Sequence, residues 1–174
     1  MNECQPVFLV GPMGAGKTTV GRQLARLLGK EFFDLDAEIE ARSGADIPWI
    51  FDVEGEDGFR KRESTLLAGL ALKNNVVIAT GGGVVLSPQN RKLMGASGLV
   101  VYLAVPVDTL HERTLHDTKR PLLQVDDRLA VINKLMFERE PLYREVADIV
   151  YDSVSNSPAA TAEKLNQLIQ LHSK

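Results

Sequence analysis

The stretch "VFLVGPMGAGKTTVGRQLA", Val7 to Ala25, constrains this chain more than any other. It satisfies G-x-x-x-x-G-K-[S/T] with Gly11, Gly16, Lys17 and Thr18, between an apolar run and an amphipathic one. That strand–loop–helix context gives the pattern its physical meaning. Glycines let backbone N–H groups curl round an anion, and the helix that follows adds the positive end of its dipole. Gly14, Ala15, Gly16, Lys17, Thr18 and Thr19 are therefore the expected phosphate-binding residues. Lys17 would reach the β- and γ-phosphates and the Thr18 hydroxyl would ligate magnesium. The loop implies nucleoside triphosphate binding and leaves its use open, since switch GTPases, motor-like ATPases and small-molecule kinases all carry it. With no Asn-Lys-x-Asp guanine signature in so short a chain, a small transferase that covers its own nucleotide fits better.

The rest of the pattern predicts the frame around this loop. Val7–Val10, Phe32–Asp36, Val76–Thr80, Leu99–Ala104 and Asp148–Asp152 read as strands, most of them near-continuously apolar, as parallel strands covered on both faces are. Helices are expected at Lys17–Leu28 with Gly29 as its stop, Asp36–Arg42, Glu63–Leu72 and Asp127–Glu140, the last ended or kinked by Pro141. Ser157 and Pro158 open a final helix carrying Leu165, Leu168 and Leu171. Strand–helix alternation predicts an α/β fold in three layers, with a five-stranded, mainly parallel sheet flanked by helices. The 174 residues, 44% hydrophobic and 25% charged, suit one domain over 1–174.

A net charge of −3 gives no general argument for nucleic-acid or membrane partners, and no apolar run approaches the ~18 residues that span a bilayer. The single cysteine, Cys4, excludes an intrachain disulfide and fits a reducing compartment, so a cytoplasmic protein is expected.

Two features raise the question of where the metal sits. Kinases of this kind commonly place an aspartate at the end of a second buried strand. Here "VVIAT" ends instead on Gly81, Gly82 and Gly83, and "LVVYLA" ends without an acid. The acids at a strand end are Asp34 and Asp36 in "FFDLDAEIE", and ligands gather at the carboxyl ends of parallel strands. The plain alternatives are a helix N-cap for Asp36 and a solvated strand terminus for Asp34.

In this order, "GPMGAGKTTVG", "DLD", "FRKRE", "TGGG", "RPLL" and "EREPLYREVAD" resemble the shikimate kinases along essentially the whole chain, from Val7 past Asp148. That resemblance implies a P-loop kinase fold with a mobile lid at about 115–126 and an acceptor-binding segment at about 36–62. It implies transfer of the γ-phosphate of ATP to the 3-hydroxyl of shikimate, with Mg2+ as cofactor and a monomeric state. Asp36 would orient or deprotonate the attacking hydroxyl, and Asp34 would act at the magnesium beside Thr18. Arg60 and Arg139 would grip the substrate carboxylate, a task suited to bidentate guanidinium groups. Gly81, Gly82 and Gly83 would form a wall of bare backbone against the acceptor. Arg120, on the lid, would stabilise the transferring phosphate, making Lys17, Asp36 and Arg120 the catalytic set. Arg113 and the loop Ser153 to Pro158, through Asn156, would lie near the adenine.

Each of these residues has a plainer reading. Arg60 has helical partners in Glu56 and Glu63, Arg139 fits the exposed face of a charged helix, and Arg120 sits in a polar loop. Glu63 is an attractive orienting partner for Arg60, Phe51 and Phe59 suit either the acceptor ring or the core, and Trp49 suits packing. Lys61, Arg62 and Lys119 suit solvated surface. His111 and His116, five apart, make a poor metal pair. Two other classes compete: a related small-molecule kinase acting on gluconate or a nucleoside monophosphate, and a non-catalytic nucleotide-binding module.

Overall fold

The computed structural model of the chain describes residues 4–153 and 157–172. Five strands, β1 (Val7–Val10), β2 (Glu31–Asp34), β3 (Val76–Ala79), β4 (Leu99–Ala104) and β5 (Ile149–Asp152), form one sheet in the order β2-β3-β1-β4-β5. Every neighbouring pair is parallel, with Leu9 beside Ala79 on one side and Val101 on the other. Seven α-helices join them: α1 (Lys17–Leu28), α2 (Leu35–Ser43), α3 (Ile47–Ala71), α4 (Pro88–Ser97), α5 (Val107–Thr114), α6 (Arg128–Val146) and α7 (Pro158–His172). Helix α1 packs on α7 and on β1 to β3, while α4 and α6 pack on each other and on β4. With helices on both faces, β1, β3 and β4 are buried at every position, which is why they read as unbroken apolar runs.

Strand β1 is where the sheet order reverses, since β3 and β4 flank it and lie on opposite sides. In open parallel sheets the ligand crevice opens outside the carboxyl ends of the strands at such a reversal. The phosphate loop follows β1, Asp34 ends β2 and the three glycines follow β3, so three adjacent strands deliver all three motifs to one edge.

Helix α1 matches its expected bounds, with Gly29 in the left-handed region at φ 64° as its stop. The Ser157 cap is also in place, its hydroxyl 3.2 Å from the Ala160 N–H. Elsewhere the elements shift. Strand β2 stops at Asp34, not Asp36, and Asp34 caps α2 by accepting from the Ala37 N–H at 2.9 Å. Asp36 therefore sits in the first helical turn, two positions past the cap, and does not cap the helix itself. Helix α3 begins sixteen residues before Glu63, at Ile47, and tolerates a break at Gly55 (φ 72°), a backbone that L side chains rarely adopt. Helix α6 runs through Pro141 to Val146, and Trp49 is 55% exposed instead of packed. No described helix is long and apolar enough to cross a membrane.

Candidate active site

The phosphate loop opens α1 without a side-chain cap. Gly11, Gly14 and Gly16 all have positive φ, the backbone that turns successive N–H groups inward. Lys17 is 8% exposed and donates to the carbonyls of Gly11 (2.7 Å) and Pro12 (2.8 Å). Burial, assisted by the nearby Arg120, brings its ammonium down to about 8. Arg113 reaches over from α5 and donates to the Gly14 carbonyl at 3.1 Å. Ala15 is buried beneath the loop, its N–H 3.2 Å from the Pro12 carbonyl, so its backbone braces the turn.

Thr18 and Asp34 come together: the Thr18 hydroxyl donates to an Asp34 carboxylate oxygen. A hydroxyl and a carboxylate beside a phosphate-binding turn form a hard, all-oxygen set. No cluster of three or more acidic, histidine or cysteine side chains stands ready for a metal among the described residues. This fits magnesium, which takes one or two protein ligands and completes its shell with water and phosphate oxygens.

Across Gly81 lies a different environment. One Asp36 oxygen and one Glu63 oxygen are buried there without hydrogen-bond partners. A Cβ added at Gly81 would stand 2.7 Å from the Glu63 oxygen and 3.0 Å from that of Asp36. Burial first, then the charges of Glu63 and Asp34, push the Asp36 carboxyl up to about 6. Burial also raises Glu63, against the opposing pull of Arg60. Arg60 pairs with Glu63 at 2.8 Å and Glu56 at 3.4 Å, so its helical pairings are real. The same guanidinium lies against Gly83, in the space a side chain there would fill, and 5.2 Å from the Phe59 ring. Phe59 lines this cavity and Phe51 packs behind it at 4.9 Å. Arg139 is only 4% exposed, with its Nε unpartnered, which rules out the solvated helix face.

Two cavities meet at this edge of the sheet. Gly14, Gly16, Lys17, Thr18, Thr19 and Arg113 line the nucleotide side; Arg60, Glu63, Gly83 and Arg139 line the other. Asp36, Gly81, Gly82 and Arg120 border both. A carboxylate and a guanidinium thus stand at the junction of an anion-binding turn and a pocket carrying two further arginines. That geometry suits an anionic acceptor presenting a hydroxyl to a terminal phosphate. Arg120 is held by an ion pair to Asp117 in the lid segment, and Lys119 borders the acceptor side as well.

Sequence reasoning missed Tyr143. Its hydroxyl donates to the Gly82 carbonyl, and its ring stacks on Tyr102 with centroids 5.1 Å apart. The available signal was its position one helical turn after Arg139, on the same face of α6. Asn156 lies outside the described residues, together with Val154 and Ser155 of the loop Ser153 to Pro158.

The family model for shikimate kinase matches residues 13–170. The chain belongs to the shikimate kinase family. The shikimate kinase of Halorhodospira halophila is 56% identical over 164 residues, covering 94% of this chain and 93% of that protein. That of Histophilus somni is 52% identical and is covered to 97%, as is this chain. The structure of the Acinetobacter baumannii shikimate kinase in complex with shikimate superposes with a TM-score of 0.95 at 48% identity, covering 97% of this chain and 94% of that one. A gluconokinase from Sinorhizobium meliloti reaches a TM-score of only 0.56 at 17% identity, a likeness of fold alone. Membership of the shikimate kinase family makes the chain an ATP-dependent phosphotransferase and sets the gluconate alternative aside.

Proposed function

We propose that the chain transfers the γ-phosphate of ATP to the 3-hydroxyl of shikimate, with the two cavities as donor and acceptor sites. The observation that carries the assignment of residues is the convergence of Asp36 and Arg120 on the boundary between them. The triphosphate lies along the phosphate loop, with Lys17 turning from the Gly11 and Pro12 carbonyls to its β- and γ-oxygens. Arg60 and Arg139 take the shikimate carboxylate, and the glycine wall faces its ring. Asp36 accepts the hydrogen bond of the 3-hydroxyl and aims its oxygen at the γ-phosphorus. The new O–P bond forms as the β,γ-bridging bond breaks, ADP leaves with the bridging electrons, and the hydroxyl proton passes to Asp36. Arg120 stabilises the charge spread over the transferring phosphoryl oxygens.

Thr18 and Asp34 would hold Mg2+ there, supplying charge neutralisation at the β- and γ-phosphates. Arg113, already over Gly14, is suited to the nucleotide, with Asn156 completing the adenine end. The working unit is a cytoplasmic monomer whose residues 1–174 form one kinase domain, with the acceptor segment at about 36–62 and the lid at about 115–126. ADP release with shikimate, gluconate and AMP as acceptors tests the reaction. Turnover with shikimate alone is expected; turnover with gluconate or AMP in its absence overturns the assignment.

A further inference from the structure

Tyr143 lies outside the groups assigned to the reaction, yet it touches one of them and adjoins another. Its hydroxyl donates to the Gly82 carbonyl, and it lines a small cavity together with Arg139. Arg139 and Tyr143 are four residues apart on α6, so one helical face carries both groups to the glycine wall. A Cβ placed on Gly82 would sit 3.6 Å from an Arg139 terminal nitrogen. The hydroxyl thus fixes the Gly82 carbonyl of the peptide beside which the Arg139 guanidinium lies.

We propose that Tyr143 is a positioning residue for the acceptor site, fixing the Gly82–Gly83 peptide beside Arg139 in one arrangement. The proposal rests on the reading that Arg139 and the glycines face shikimate. A trans peptide points its N–H opposite to its C=O, so holding the Gly82 carbonyl on Tyr143 sets the direction of the Gly83 N–H. None of the N–H groups of Gly81, Gly82 and Gly83 is taken by another described residue, so all three remain free for a ligand. Arg139 is buried with its Nε unpartnered, so the peptide that Tyr143 holds is one wall of the space in which this guanidinium meets the substrate. The phenol stays neutral in this role, because burial raises it further above its ordinary value. The ring is separately secured by its stacking on Tyr102, so hydroxyl and ring contribute through different contacts.

The test is Tyr143→Phe, which keeps the ring and removes the hydroxyl. Calorimetry with the full chain should show shikimate affinity falling about three- to tenfold, the usual effect of deleting one hydrogen bond. ATP affinity should stay within twofold, because the hydroxyl does not reach the phosphate loop. Tyr102→Leu serves as the counterpart: it removes the stacking partner and should lower the melting temperature while shikimate affinity stays within twofold. Unchanged shikimate affinity in Tyr143→Phe, or an equal loss for ATP, overturns the positioning role alone. A shikimate affinity that falls in Tyr102→Leu as far as in Tyr143→Phe overturns it too, by reducing Tyr143 to packing. Failure of the unaltered chain to bind shikimate overturns both the positioning role and the acceptor assignment beneath it.

Discussion

At Asp36, burial and charge oppose each other. Desolvation, Glu63 and Asp34 favour the neutral acid, Lys17 and Arg120 favour the carboxylate, and the balance leaves the group near 6. If the ionised form aligns the hydroxyl, kcat/KM for shikimate should fall below about pH 6, and a profile flat to pH 4.5 removes that role. The same value carries a stability cost. A carboxyl whose folded pKa lies above its ordinary 3.8 stabilises the fold only below that value, and the contribution is lost as pH rises through about 6. Asp36→Asn should therefore nearly abolish transfer with ATP affinity close to normal, yet melt higher than the unaltered chain at pH 7.5. At about 1.4 kcal/mol per pK unit the gain is on the order of 3 kcal/mol, and it should disappear near pH 4. A variant no more stable at pH 7.5 would contradict the strained carboxylate. Lys17 gives the opposite limb. Its ammonium, lowered to about 8, loses its charge above that value, so affinity for ATP should weaken from pH 8 to 9.5. The three glycines line the acceptor-side cavity, and the structure gives a further reason for them. Their space is occupied by this chain's own side chains: Asp36 and Glu63 at Gly81, Arg139 near Gly82, Arg60 at Gly83. Bare backbone there lets the charged groups converge.

Among the elements, the proposed lid at about 115–126 is the one whose internal contacts would bear on catalysis. The Asp117 carboxylate pairs with Arg120 and accepts from the Lys119 N–H at 2.9 Å, while its carbonyl accepts from Gln124 at 2.9 Å. Arg128, at the start of α6, donates to the carbonyls of Leu115 at 2.9 Å and Asp117 at 3.1 Å, closing the segment's two ends on each other. A loop braced in this way carries Arg120 as a preformed unit and spares the entropy of ordering it in each turnover. Asp117→Ala should lower kcat about three- to tenfold with shikimate affinity within twofold, seen in steady-state kinetics against calorimetry; an unchanged kcat would show that Arg120 needs no such support. Helix α3 shows why some elements escaped the sequence. Asp46 caps it by accepting from the Trp49 N–H at 2.9 Å, and Pro48 falls in its first turn, a start signal that was present and unread. The glycines of "VEGEDG" interrupt the helical pattern, and Gly55 forms a break within one continuing element. Pro141 misled in the opposite sense, because α6 continues past it after the loss of one backbone hydrogen bond.

For the molecule as a whole, what was legible was what local chemistry repeats in order: the strand–loop–helix of the phosphate loop, the unbroken apolar strands and the stop at Gly29. What was not legible depends on distance along the chain, since Tyr143 reaches Gly82 across 61 positions and only the folded sheet brings them together. The two cavities share Asp36, Gly81, Gly82 and Arg120, so a ligand in either would lean on the same sheet edge. If residues 1–174 fold as one cooperative domain, shikimate and ATP should displace a single unfolding transition. A ligand at 100 times its Kd stabilises by about 2.7 kcal/mol, and a chain of this size gains about 2–4 °C per kcal/mol. Either substrate alone should thus raise Tm by about 5–10 °C, and gluconate at the shikimate concentration should leave it unchanged. In Arg139→Ala the shift with shikimate should collapse while the shift with ATP persists, because the clamp belongs to the acceptor side only. Scanning calorimetry decides it. Two transitions, of which shikimate moves one and ATP the other, would mean that the acceptor segment unfolds on its own and that the shared edge does not couple the two sites.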